Sequence, residues 1–210
     1  LRVDGLNIRS GRQNCLFDFF EAAIVPTLSY HEIEFKLMME VNLECSSCMQ
    51  VSRVDEHWWN YLLIPQISSE DNLESVIFNL FGATAQKKTC PKCSDGADHQ
   101  TSLSLATCPR NLFLRFDPII VTGKKRVNLM RHIDLTKIVS DKIIHTSSYG
   151  RYTLQSFIIF NGSDDKGHFV TFTQKKGEWY RLDDLDISLV QPSNLFDNAD
   201  HPPPVLLAHY

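Results

Sequence analysis

Four of the six cysteines fall into two C-x-x-C pairs, Cys45-Ser46-Ser47-Cys48 and Cys90-Pro91-Lys92-Cys93. A two-residue spacer lets both thiolates of a pair face one ion while neighbouring amides stabilise the sulfur charge, so two pairs together read as a tetrahedral four-cysteine zinc site. Four thiolates fill the coordination shell and leave no position for water or substrate, which makes the expected metal structural rather than catalytic. Ordinary buried or disulfide-bonded cysteines are the competing reading, with disulfides disfavoured in the absence of a secretory context. Redox chemistry would need a strand-to-helix setting, and neither pair opens a helical pattern. A second constellation is His168 and Asp183, fifteen residues apart. His168 starts a strand pattern after a glycine-containing loop and Asp183 follows the next such pattern. Adjacent antiparallel strands can then set the carboxylate beside the ring, where it holds the tautomer and stabilises the imidazolium. That is the relation of a base to its orienting partner, and it is also that of an ordinary surface His–Asp pair.

The elements that must position these groups are mostly strands. Phe35 to Leu43 alternates apolar and polar residues up to the first cysteine pair and Val51 to Val54 resumes beyond it, so that pair is expected to cap a β-hairpin. Thr101 to Ala106, Leu112 to Phe116, a segment within Lys124 to Asp134, Tyr152 to Asn161, His168 to Gln174, Trp179 to Leu182 and Val205 to Tyr210 read as further extended segments. Short loops such as Lys175-Lys176-Gly177-Glu178 predict an antiparallel meander in the last third. Two helices are expected. One carries Leu16, Phe19, Phe20, Ala23 and Ile24 and ends near Pro26. The other carries Leu73, Val76, Ile77, Leu80 and Phe81, with its cap in Ser68-Ser69-Glu70-Asp71 and its stop at Gly82. Leu135 to Ile144 is ambiguous, Ser94 to Gln100 reads as a turn, and one of Trp58 and Trp59 is expected to face the core.

Composition sets outer limits. A chain of 210 residues holds one large domain or two small ones. With 43% hydrophobic and 22% charged residues it is neither collagen-like nor disordered. Lys and Arg number 21 against 25 Asp and Glu, a net charge of −4, so no electrostatic footprint points to nucleic acid or anionic lipid, and neither is expected as a partner. No apolar run approaches the roughly 18 residues of a membrane span, and Leu1 to Ser10 is too polar for a signal peptide. An intracellular protein, in cytoplasm and/or nucleus, is expected. The chain opens at Leu1 without Met, as a processed chain or a piece of a longer one would.

The segment Gly167-His168-Phe169-Val170-Thr171-Phe172, followed by Trp179-Tyr180-Arg181-Leu182-Asp183-Asp184, resembles the His box of ubiquitin-specific proteases, G-H-Y then W-x-x-[FL]-[DN]-D. Upstream, Tyr152-Thr153-Leu154-Gln155-Ser156-Phe157-Ile158-Ile159-Phe160-Asn161-Gly162 is similar to the Y-x-L-x-x-[VI]-x-x-H-x-G strand of that family, with Phe157 for Val or Ile and Phe160 for His. Leu105 to Phe116 resembles its P-x-x-L element and closing R-F, shortened between them. Val205 to Tyr210 resembles its closing L-x-Y strand, with Ala208 for Leu, and the two cysteine pairs fall where its zinc-bearing fingers do.

The resemblance implies an α+β fold: a papain-like cysteine protease palm built on an antiparallel sheet, zinc-bearing β fingers, and a thumb that is mostly missing. It implies residues 1–34 as a remnant of the thumb helix, 35–110 as fingers with the zinc site and 111–210 as palm with the His box. It implies a deubiquitinase fragment that hydrolyses the bond after the C-terminal glycine of ubiquitin by a thiol mechanism, with ubiquitin or ubiquitinated proteins as partners. His168 would be the base, Asp183 its orienting partner, and Cys45, Cys48, Cys90 and Cys93 the ligands of a structural zinc. The family nucleophile sits in a G-N-T-C-[YFW] box that is absent here. Gln13-Asn14-Cys15-Leu16-Phe17-Asp18-Phe19 is similar to the later Q-D-[AC]-x-E-F helix, which makes Cys15 a core cysteine; a degenerate nucleophile box at a helix N-terminus is its rival reading. Two alternatives to a working enzyme follow: a ubiquitin-binding pseudoenzyme, and a zinc-stabilised protein interaction module.

Overall fold

The computed structural model describes residues 2–3, 6–7, 16–28, 36–65, 72–82, 84–87, 89–90, 92–93, 98–116, 129–139, 150–163, 166–196 and 205–210. Fifteen strands lie among them: β1 (Arg2–Val3), β2 (Leu6–Asn7), β3 (Leu37–Cys45), β4 (Val51–Trp59), β5 (Leu62–Ile64), β6 (Thr84–Lys87), β7 (Asp98–Leu105), β8 (Phe113–Phe116), β9 (His132–Asp134), β10 (Arg151–Thr153), β11 (Ser156–Ser163), β12 (Lys166–Lys175), β13 (Glu178–Asp183), β14 (Asp186–Val190) and β15 (Val205–His209). A seven-stranded sheet runs in the order β14-β13-β12-β11-β15-β8-β5 and a four-stranded sheet in the order β4-β3-β7-β6. All their pairings are antiparallel except β5 with β8.

The large sheet is packed on both faces. From β11 and β12, the cross-strand partners Phe157 and Phe172 stack with ring centroids 4.9 Å apart, and Trp179 tilts against Phe157 at 5.9 Å. Ile64, Leu114, Phe116, Ile159 and Val170 complete this core, and the helix Leu73–Leu80 lays Leu73, Val76 and Ile77 on it. Fully burying side chains of this size stabilises by about 1.5–3 kcal/mol each. A smaller apolar cluster joins Phe17 and Phe20 to Leu206 and Leu207, with Ile158, Phe160 and Phe169 packed against it. Arg115 pins this second layer: its guanidinium lies 3.8 Å from the ring centroid of Phe17, and its Nη1 donates to the Tyr61 hydroxyl at 2.7 Å.

Several expectations are corrected. The cap of the Leu73–Leu80 helix is Asn72, whose extended backbone lets its side-chain oxygen accept from Glu74 N at 2.8 Å and Ser75 N at 3.3 Å. The Ser68–Asp71 cluster lies outside the described residues. The first helical segment ends at Leu28, two residues past Pro26, and is not a regular helix: it runs as α-helix Leu16–Phe19, π-helix Phe20–Ile24 and α-helix Val25–Leu28. A wider turn thus precedes the proline, whose ring would crowd the carbonyl four residues back in a regular α-helix. Tyr152 to Asn161 is broken into β10 and β11, and β14 adds an edge to the meander. The chain then departs from a meander, because β15 enters between β11 and β8. Leu135 to Ile144 contains a 3-10 turn at Thr136–Ile138, its remainder lying mostly outside the described residues, as do Cys15, residues 124–128 and the 94–97 part of the expected turn. Trp58 and Trp59 are both exposed, at 60% and 42%, because β4 is the edge of its sheet.

Candidate functional site

Strand pairing brings His168 and Asp183 together. Across β12 and β13, Thr171 faces Leu182 and Phe172 faces Arg181. Continuing that register sets Val170 opposite Asp183, so His168 is its diagonal neighbour on the same face, within reach of a ring and a carboxylate. His168 Nε2 contacts Asp183 Oδ1, and Arg181 Nη2 donates to Asp183 Oδ2, so each carboxylate oxygen has its own cationic or ring partner. The hydrogen bond that the ring donates to Asp183 raises the His168 pKa above the ordinary histidine value; desolvation opposes it, the Asp183 and Asp184 charges add to it, and the Arg181 charge subtracts. The carboxyl of Asp183 is lowered in turn, chiefly by the His168 hydrogen bond.

Two local devices hold this end of the sheet. Asp184 adopts a left-handed φ of 52°, turning the chain immediately after Asp183 into β14. Gly167, just before His168, lies beneath the ring of Phe160, and a Cβ there would overlap that ring. Phe160 also packs at 5.2 Å on Phe169, its partner across β11 and β12. The glycine is therefore set by a close approach rather than by its backbone angles.

With Nε2 committed to Asp183, Nδ1 of His168 remains for proton exchange, and the His168 side chain is 45% exposed against 21% for Asp183. A neutral imidazole so oriented is a base, and a protonated one an acid.

The four cysteines converge at the tip of the four-stranded sheet. Cys45 and Cys48 occupy the β3–β4 turn, closed by Met49 N donating to Cys45 O at 2.8 Å, while Cys90 and Cys93 come from the stretch before β7. The Sγ atoms of Cys45 and Cys93 are 3.8 Å apart, those of Cys48 and Cys90 are 3.7 Å apart, and all four lie within 4.8 Å of one another. Tetrahedral zinc with Zn–S of about 2.3 Å requires sulfur separations of about 3.8 Å, so the residues fit the ion. Backbone N–H groups of Cys93 and Lys92 lower the Cys90 pKa to about 6, which favours the thiolate a metal binds. His99, buried at 1% and opposite Cys45 on β7, also hydrogen-bonds Cys90. Sequence reasoning missed it; the signal available was its place on the strand that follows the second pair. Cys108, the remaining described cysteine, belongs to neither cluster, and burial pushes its thiol up.

A model of the family described as "Ubiquitin carboxyl-terminal hydrolase" matches residues 23–207. The SAGA DUB module Ubp8/Sgf11/Sus1/Sgf73 bound to monoubiquitin is similar in structure with a TM-score of 0.76 at 14% identity, covering 94% of this chain and 48% of that one. The same module bound to ubiquitin aldehyde gives 0.74 at 15% identity, covering 94% and 49%. A yeast SAGA DUB module with an Sgf73 variant gives 0.65 at 15%, covering 85% and 41%. No curated protein sequence matches. The chain thus spans about half the length of these solved structures. Its fold is α+β, mostly sheet with few helices, of the papain-like type that the sequence resemblance implied, with four cysteines set to bind zinc.

Proposed function

The chain belongs to the ubiquitin carboxyl-terminal hydrolase family, and on that premise we propose that it is the fingers and palm of a thiol-dependent deubiquitinase, with the fingers drawn from residues 35–110, of which Leu62–Ile64 and the Leu73–Leu80 helix pack with the palm sheet, 111–210 as palm and 1–34 as a remnant of the thumb helix. The observation that carries the proposal is the contact between His168 Nε2 and Asp183 Oδ1 on adjacent strands, which leaves Nδ1 to handle a proton.

The nucleophile is a thiol supplied by the part of the relatives' length that this chain does not span. His168 Nδ1 takes the thiol proton, and the thiolate attacks the carbonyl carbon of the ubiquitin C-terminal glycine. The tetrahedral intermediate collapses to a thioester as the leaving lysine amine takes the proton back from Nδ1. Water then attacks the thioester carbonyl, its proton passing to Nδ1 and on to the departing sulfur, which restores the thiol. Asp183 holds the ring and stabilises the imidazolium formed in each half, and Arg181 fixes the carboxylate. Bound to Cys45, Cys48, Cys90 and Cys93, zinc supplies a structural cross-link between the β3–β4 turn and the segment before β7, with ubiquitin gripped by the sheet it steadies. The reducing cytoplasm and/or nucleus suits these free thiols.

A second reading, a ubiquitin-binding pseudoenzyme, is favoured by the lack of a G-N-T-C box in these 210 residues. Calorimetric titration with ubiquitin is expected to show binding by the zinc-loaded chain under either reading, and none refutes both. A fluorogenic ubiquitin substrate separates them on a chain that includes the upstream sequence: turnover lost in His168→Ala supports the enzyme, and no turnover supports the pseudoenzyme. Turnover by the 210-residue chain that Cys15→Ala abolishes would transfer the nucleophile to Cys15.

A further inference from the structure

Among the described residues β14 is the edge of the seven-stranded sheet, with β13 as its only strand neighbour. Natural edges are usually guarded by charge, proline or a covering element. This one presents Ile187 and Leu189, 68% and 56% exposed, which face Leu182 and Tyr180 across the strand pair and so share one face. Leu185, at the turn into the strand, is 97% exposed. Asp184 and Asp186 flank it, both exposed. Among the described residues no ion pair engages either carboxylate, whereas Asp183 is taken by His168 and Arg181. The edge therefore offers main-chain hydrogen bonds, an apolar row and exposed negative charge in one strip.

We propose that β14 is a docking edge for an extended, basic segment of the ubiquitin-bearing protein, which adds to the sheet as an eighth strand beside the dyad. Main-chain pairing supplies affinity, alternate apolar side chains settle on Leu185, Ile187 and Leu189, and lysine or arginine meets Asp184 and Asp186. Placement agrees with this occupant. Strands are spaced about 4.8 Å apart, so a strand outside β14 lies about 14 Å from β12, which carries His168. About four extended residues cover that distance, so one segment can hold its modified lysine at the dyad and rest its flank on the edge. The assignment of this occupant rests on the deubiquitinase reading; the chemistry of the edge does not.

The test uses the zinc-loaded 210-residue chain and three fluorescent twelve-residue peptides: one alternating Val and Lys, one alternating Val and Glu, and the Val–Lys peptide with two central prolines. Anisotropy is expected to show binding of the Val–Lys peptide alone, weakened at least tenfold by Ile187→Lys with Leu189→Lys and several-fold by Asp184→Asn with Asp186→Asn, and falling with salt. Amide shift changes on the bound chain should centre on residues 185–190. Ubiquitin affinity, measured on the same samples, should not change, which also shows that the variants fold. Ubiquitin binding without peptide binding, or peptide binding indifferent to these substitutions, overturns the docking edge and leaves the deubiquitinase reading standing. Peptide binding without ubiquitin binding overturns the assignment of the occupant. A concentration-dependent dimer abolished by Ile187→Lys with Leu189→Lys gives the edge to a second copy and overturns the proposal.

Discussion

Gly167→Ala tests whether the close approach beside His168 governs the local fold. The added methyl meets the ring of Phe160, whose nearest atom is Cζ, the far end of a side chain that can swing. The backbone can stay in place, and the cost is that of displacing the ring from Phe169, 5.2 Å away. An aromatic pair contributes about 0.5–1.5 kcal/mol beyond its area, and forcing an extra methyl into a packed site costs about 1–3 kcal/mol. Gly167→Ala should therefore destabilise by about 1–2 kcal/mol. In a Phe160→Ala background the obstacle is gone, and the lower entropy of the unfolded alanine chain should make the same substitution neutral or stabilising by up to about 1 kcal/mol. The double-mutant cycle, read from urea midpoints of tryptophan fluorescence, is expected to give a coupling of about 1–3 kcal/mol. A Gly167→Ala penalty of the same size with and without the ring would refute the reasoning, since it would place the constraint in the backbone.

Three further outcomes are expected. Asp183→Asn should move the His168 titration, followed by NMR of the ring protons, to lower pH; an unmoved midpoint would mean that the carboxylate does not govern the ring. Because folding raises the His168 pKa, the stability from its bond to Asp183 is fully present below the unfolded histidine value near 6.5 and is lost as pH rises through the folded value. The lowered Asp183 carboxyl contributes in the opposite sense, above its unfolded value near 3.8 and lost as pH falls through its folded one. Chelation of zinc, or Cys45→Ser, should erase the amide protection of β3, β4 and β7 while the β11–β13 amides persist, as hydrogen exchange would show; uniform loss would mean that the metal supports the whole chain. Asn72→Ala removes the acceptor for Glu74 N and Ser75 N and should cost about 1 kcal/mol in urea denaturation, whereas an unchanged midpoint would show the cap to be idle.

Local chemistry was readable without coordinates wherever one short segment contains its own reason. Two thiols at a two-residue spacing can meet one ion whatever surrounds them, so Cys45, Cys48, Cys90 and Cys93 were identifiable as a set, and they converge. The β11–β13 meander was readable for the same reason, since short polar turns leave successive strands little choice but to pair, and His168 and Asp183 then meet by register. Other features depend on partners distant in sequence. A short apolar run marks β15 as a strand but does not say that Leu207 and Ala208 pair with Arg115 and Leu114, because that choice is made by the core the two segments bury jointly. Nothing beside Arg115 names Phe17 and Tyr61 as its partners, and nothing beside Asp183 predicts that Arg181 takes its second oxygen. The glycine before His168 was legible as part of a motif, whereas the ring that requires it comes from across the hairpin. Residue type and spacing determined which chemistry this chain can perform; the packing of remote segments decided which atoms face one another, because contact energy depends on proximity in space, and only the folded chain sets that.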